Sequence, residues 1–134
     1  MSGVQIIVAQ LLDSAAVTAI ADPDSIVGGT LPQGTPLPAL QVETISEMDL
    51  QVLSRGAYRL VTERVQVTAL GLDYVQAHDL IKAAKRACAD TFPTIAGLSR
   101  ISVLSAGGGP EGIHVATGAP ARTHDFKVRY QEPT

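Results

Sequence analysis

Val4, Ile7, Val8, Leu11 and Ala15 recur at the i, i+3, i+4, i+7 spacing of one helix face, and Leu12 widens the stripe. The spacing predicts a first helix over residues 3–20. Ile6, Val17 and Ile20 fall on the opposite face around Asp13, so this helix carries more apolar surface than one core side can hide. Either the helix is enclosed all round or the surplus meets a partner.

Ser25-Ile-Val predicts a short strand, and the three Gly and three Pro between Gly28 and Pro38 predict a loop, since Pro has no ladder donor. Ala39 to Ser46 alternates as a strand, with Leu40, Val42, Thr44 and Ser46 on one face. Glu47 to Gly56 loses the period and predicts a long hairpin connection or a mobile loop. Ala57 to Leu70 alternates most clearly: Val61, Val65, Val67 and Ala69 point one way, and Arg64, Gln66 and Thr68 the other. Gly71 breaks that run. Asp73, three residues before Gln76, has the spacing of a capping box and predicts the start of a second helix. Its apolar stripe is Tyr74, Ala77, Leu80, Ile81, Ala84, Ala87 and Cys88, closed by Phe92-Pro93. Three further strands are predicted over 100–105, 112–117 and 122–131, joined as a meander by Gly107-Gly-Gly-Pro110 and Gly118-Ala-Pro120. The pattern predicts a single α+β domain over residues 1–134, a mostly antiparallel sheet with two main helices packed on one face.

At 134 residues, 46% hydrophobic and 17% charged, the chain has enough apolar surface for one core and does not read as disordered. Five aromatics, no Trp and a net charge of −3 argue against a general nucleic-acid binder. That total conceals a split. Residues 1–54 hold six acids and no Lys or Arg, whereas residues 55–134 hold ten bases against seven acids. The apolar run Val4 to Leu12 has no basic region before it and is too short to span a bilayer, so it is expected to belong to the fold rather than to a membrane or export signal.

Catalysis would need a nucleophile beside its base. Cys88 lies on the apolar stripe of the second helix and His78 lies off it, so Cys88 reads as a small buried hydrophobe. His78, His114 and His124 are scattered singly, and His124 and Asp125 point to opposite faces of a strand, which argues against a metal site. Gly107-Gly-Gly leads into a strand rather than a helix start, so it reads as a hairpin tip and not a phosphate cradle. Lys82, Lys85 and Arg86 read as a solvated helix face, and Asp22/Asp24 and Glu47/Asp49 as turn and loop carboxylates with nothing to separate their pKa values. No enzyme and no cofactor are expected.

The order of elements carries more information than any residue. It comprises the apolar first helix, Gly34-Thr-Pro-Leu-Pro38, Ala39-Leu-Gln-Val-Glu43, Glu63-Arg-Val-Gln-Val-Thr-Ala69, the helix from Asp73 to Asp90, and Thr123-His-Asp-Phe-Lys-Val-Arg-Tyr130. In this order the chain, over roughly residues 3–131, resembles the tail-completion or tail-terminator family of long-tailed, siphovirus-like bacteriophages. The resemblance implies a structural virion protein at the tail-neck junction, assembled in the host cytoplasm into a homo-hexameric ring. Its expected partners are other copies of itself, the major tail-tube protein and a head-tail connector or stopper protein. DNA would pass through the ring without sequence-specific contact.

Rings use heterologous interfaces, and the acidic and basic parts of the chain could supply two such patches. The expected interface residues are Ile6, Asp13, Val17 and Ile20 from the first helix, Met48, Leu50, Val52 and Leu53 from the apolar loop, and Arg55, Arg59 and Arg64. A head-tail adaptor or other neck component, a small α+β binding module, and a small enzyme using His124 or Cys88 are the competing readings, in that order.

Overall fold

A computed structural model describes residues 2–50, 56–95, 97–109, 112–113 and 118–133. Among the described residues three α-helices, α1 (Ser2–Leu12), α2 (Ala15–Thr18) and α3 (Tyr74–Cys88), accompany six strands. The strands are β1 (Ile26–Gly28), β2 (Ala39–Asp49), β3 (Tyr58–Leu70), β4 (Ser99–Gly108), β5 (Gly112–Ile113) and β6 (Pro120–Pro133). They form one sheet in the order β1-β2-β3-β6-β4, with β5 also paired to β6, and every pairing except β1 with β2 is antiparallel. The expected α+β class and mostly antiparallel sheet are what the chain adopts.

The single first helix expected over 3–20 is two helices. Ser14 adopts an extended conformation and its hydroxyl accepts the amide of Val17, capping α2 and ending the regular path of α1. The break has a consequence for the surplus apolar face. α1 touches β1, β2, β3 and α3, and α2 folds back against α3, so Ile6 and Val17 are fully buried. The enclosed-helix alternative therefore holds, and these two residues are core rather than interface.

The loop expected over 47–56 also begins later than its pattern implies. A bulge between Thr44 and Ser46 inserts one residue and shifts the register, after which Glu47, Met48 and Asp49 pair with Glu63, Thr62 and Val61. A two-residue period cannot be followed through an insertion of one, which explains why the strand seems to stop at Ser46. The middle of that connection, residues 51–55, lies outside the described residues. The meander is corrected as well. β6 inserts between β3 and β4 and pairs with β3 along its whole length, from Tyr58 opposite Pro133 to Leu70 opposite Ala121. Of the strand expected over 112–117, only Gly112 and Ile113 are described.

Asp73 caps α3 as its spacing predicts, accepting the amide of Gln76 at 2.7 Å, while the Gln76 side chain accepts the amide of Leu72. Gly71, just before it, packs so closely that a Cβ would meet Ala77 N at 2.6 Å. The helix ends at Cys88, short of Phe92-Pro93, and Tyr74 is 45% exposed rather than part of the buried stripe.

Alternate residues of each strand build the core: Leu40 and Val42 of β2, Val61, Val65 and Val67 of β3, Phe126, Val128 and Tyr130 of β6, and Val103 of β4. α1 and α3 cover this face. One charged residue shares it: Glu63 is wholly buried, and its carboxylate accepts the amide of Gly3 in the first turn of α1. The first-turn amides of a helix have no intrahelical partner and carry the positive end of its dipole, so the helix start supplies what this carboxylate lacks.

Candidate functional site

Among the described residues no helix covers the other face of the sheet, the bare face. By register, Thr62, Arg64 and Gln66 of β3 stand beside Asp125, Lys127 and Arg129 of β6 on this face, with Ser46 and Met48 of β2 on one side and Leu104 of β4 on the other. Together Met48, Arg64, Leu104, Lys127 and Arg129 line a groove of about 590 Å³. Met48 is 74% exposed there. Arg64 is held flat on the sheet: its Nε donates to Asp125 Oδ2 at 2.8 Å, its Nη2 lies 3.4 Å from the Ala106 carbonyl, and Gln66 donates to the second Asp125 oxygen. Two cations of the groove, Lys127 and Arg129, are left exposed beside that pair.

At one end of the sheet the paired ends of β2 and β3, with β6 alongside, form an arm. Leu50, whose amide bonds the Leu60 carbonyl, is 60% exposed, and Tyr58 is 61% exposed. Arg59 lies 3.6 Å from Asp49 across the arm, an exposed pair of little energetic weight.

A third feature sits where α2 meets the start of α3. Ala19, Ile20, Asp73, Val75, Gln76 and Asp79 line a shallow groove there of about 420 Å³. Ile20 is half-buried against the core, whereas Val75 is 71% and Leu72 70% exposed. Asp13 is also exposed, at the end of α1.

The expected interface residues thus separate. Asp13, Ile20, Met48, Leu50, Arg59 and Arg64 reach the surface in different places, Ile6 and Val17 do not, and Val52, Leu53 and Arg55 lie outside the described residues. The residues that sequence reasoning missed are Leu104, Lys127, Arg129 and Val75. The outward parity of Lys127 and Arg129 was legible in the alternation of β6, but that the outward side has no covering layer was not.

Cys88 and His124 are the residues of the competing, enzymatic reading. Cys88 is fully buried, and burial pushes its thiol up to about 12. His124 lies on the helix side of β6, its Nε2 2.7 Å from Ser105 Oγ and its ring 5.0 Å from that of Phe126. Burial lowers its pKa, the nearby Lys85 lowers it further, and Asp125 opposes both. A serine beside a histidine suggests a nucleophile, yet Asp125 lies on the opposite face of the strand, bound to Arg64 and Gln66, and does not orient this imidazole. Among the described residues no three His, Cys, Asp or Glu gather to hold a metal, and no helix is long and apolar enough to cross a membrane. His114 lies outside the described residues.

Residues 5–109, from α1 through the bare-face strand β4, match the family model described as Tail completion protein gp17. The chain belongs to this phage tail-completion family. It is therefore a phage structural tail protein. No curated protein matches the sequence. Among solved structures, a chain of "Virion of native gene transfer agent (GTA) particle" is similar in fold, with a TM-score of 0.62 at 14% identity over 93% of this chain and 91% of that one.

Proposed function

We propose that this protein closes into a homo-hexameric ring that terminates the tail tube of a long-tailed phage and joins it to the head connector or stopper protein at the tail-neck junction. The observation that carries the reading is the β2–β3 arm. Its Leu50 and Tyr58 are exposed, a placement that leaves apolar side chains in water unless another chain covers them. The last ring of tail-tube protein is the occupant proposed for the arm, and the opposite side of the ring meets the connector. DNA passes through the ring without base-specific contact, consistent with a chain that has few aromatics and a net negative charge.

A double substitution, Leu50→Asp with Tyr58→Asp, tests this on exposed positions that the fold does not need. Supplied in place of the wild-type protein during phage growth, it is expected to give filled heads separated from tails and tubes of uneven length in electron micrographs. Normal joined particles at the wild-type titre would contradict the role given to the arm.

A further inference from the structure

We infer that the acidic, apolar corner between α2 and α3 of one subunit docks into the basic, apolar groove on the bare sheet face of the next copy, and that this contact builds the ring. The inference rests on the ring reading above and adds to it the two surfaces that meet.

The two grooves are complementary in charge and alike in apolarity. The corner presents Val75 and Ile20 with Asp73 and Asp79 on its rim. The bare face presents Met48 and Leu104 with Lys127 and Arg129; the acid in its lining, Glu63, is wholly buried and accepts the Gly3 amide, and Asp125 and Glu43 farther along the face are bonded by Arg64 and Gln41. Charge is partly segregated along α3: Asp73 caps its start and Asp79 stands in its second turn, whereas Lys82, Lys85 and Arg86 line a separate depression toward the C-terminus. The rim of the corner is therefore acidic, and the nearest lysine or arginine on the helix is Lys82, one turn beyond Asp79. Apolar centres rimmed by opposite charges are the arrangement that both desolvates well and selects one partner over others.

Topology excludes the possibility that one chain satisfies both surfaces itself. The corner belongs to the helical layer on one face of the sheet, and the groove lies on the other. A single sheet cannot fold its covered side onto its bare side, so a corner that fills this groove comes from another copy. Because the two surfaces differ, the contact is heterologous, and repeated heterologous contacts either close into a ring or run on as a filament. A second copy is thus the partner that the two grooves together describe.

The buried, unreactive Cys88 makes a direct test available, because cysteines introduced at the surface report alone. Val75→Cys and Leu104→Cys each alter an exposed side chain outside the core. The double variant, treated with a short bismaleimide, is expected to give a ladder of linked chains that ends at six, whereas either single variant gives none. Independently, Lys127→Glu with Arg129→Glu is expected to weaken self-association at least about tenfold at low salt, and mixing that variant with Asp79→Lys subunits to restore it. Rings that form normally but give no ladder, or single variants that link as well as the double one, would overturn this pairing and leave the ring reading standing. Wild-type protein that forms no ring, alone or on tail tubes, would overturn both.

Discussion

Replacing Glu63 by alanine removes a carboxylate that joins the middle of β3 to the first turn of α1, sixty residues earlier in the chain. The side chain is 0% exposed; its oxygens accept the Gly3 amide and stand 3.5 Å from Thr44 Oγ1. A hydrogen bond to a charged group contributes about 1.5–3 kcal/mol, and leaving a buried amide without an acceptor falls at the upper end of that range. The vacated volume adds about 1 kcal/mol more, because α1 is pinned by Ile6, Ile7 and Leu11 and cannot collapse inward. Relief of the carboxylate's desolvation offsets part of the sum. The net expectation is a loss of about 3 kcal/mol, or about 10 °C in Tm for a domain of this size. Glu63→Gln keeps an acceptor and the shape while losing the charge, so it is expected to lose about 1 kcal/mol. Thermal unfolding followed by circular dichroism, at one fixed protein concentration, measures both. Alanine within about 1 kcal/mol of wild type, or no worse than glutamine, would refute the coupling of this carboxylate to the helix start.

Gly71→Ala is expected to destabilise by about 3 kcal/mol or more, since the new Cβ would press on the backbone of Ala77 and Asp73 rather than on a yielding side chain. A urea midpoint equal to wild type would count against that. Cys88 is expected to resist a thiol reagent at pH 8 in the native protein and to react fully once unfolded, because its thiol is buried and titrates at about 12. His124 holds fewer protons folded than unfolded near its ordinary 6.5, so it contributes stability that is fully present above that pH and is lost as pH falls below it. The urea midpoint is therefore expected to decline between pH 7 and 5.5, less steeply in His124→Gln; an equal slope in the variant would assign the effect elsewhere.

The parts of this fold that were legible in the sequence are those governed by local period. Val61, Val65, Val67 and Ala69 announce β3, and Asp73 with Gln76 marks the start of α3 to the residue, because the cap is made by atoms three positions apart. The misread parts depend on distant partners. Glu63 lies at a core position of β3, and only the amide of Gly3 explains how a carboxylate can be there. Ile6 and Val17 look like surplus surface until Ser14 turns the chain and α3 covers them. The Thr44 to Ser46 bulge hides the second half of β2 by breaking its alternation, and that half carries the exposed Met48. For the candidate site, the basic outward row of β6 was readable as a pattern, but its meaning depended on which sheet face the helices leave open. Pattern alone cannot supply that, because both faces of β6 read as one strand.

Imaging purified protein mixed with tail-tube protein in negative stain tests the central claim most directly. The account predicts rings in the free protein, one ring at the end of each tube, and tubes that stop growing once a ring is seated. Rings that bind the head connector and ignore tube ends would instead make the protein a head-tail adaptor, and a strict monomer that leaves tube growth unchanged would contradict the account.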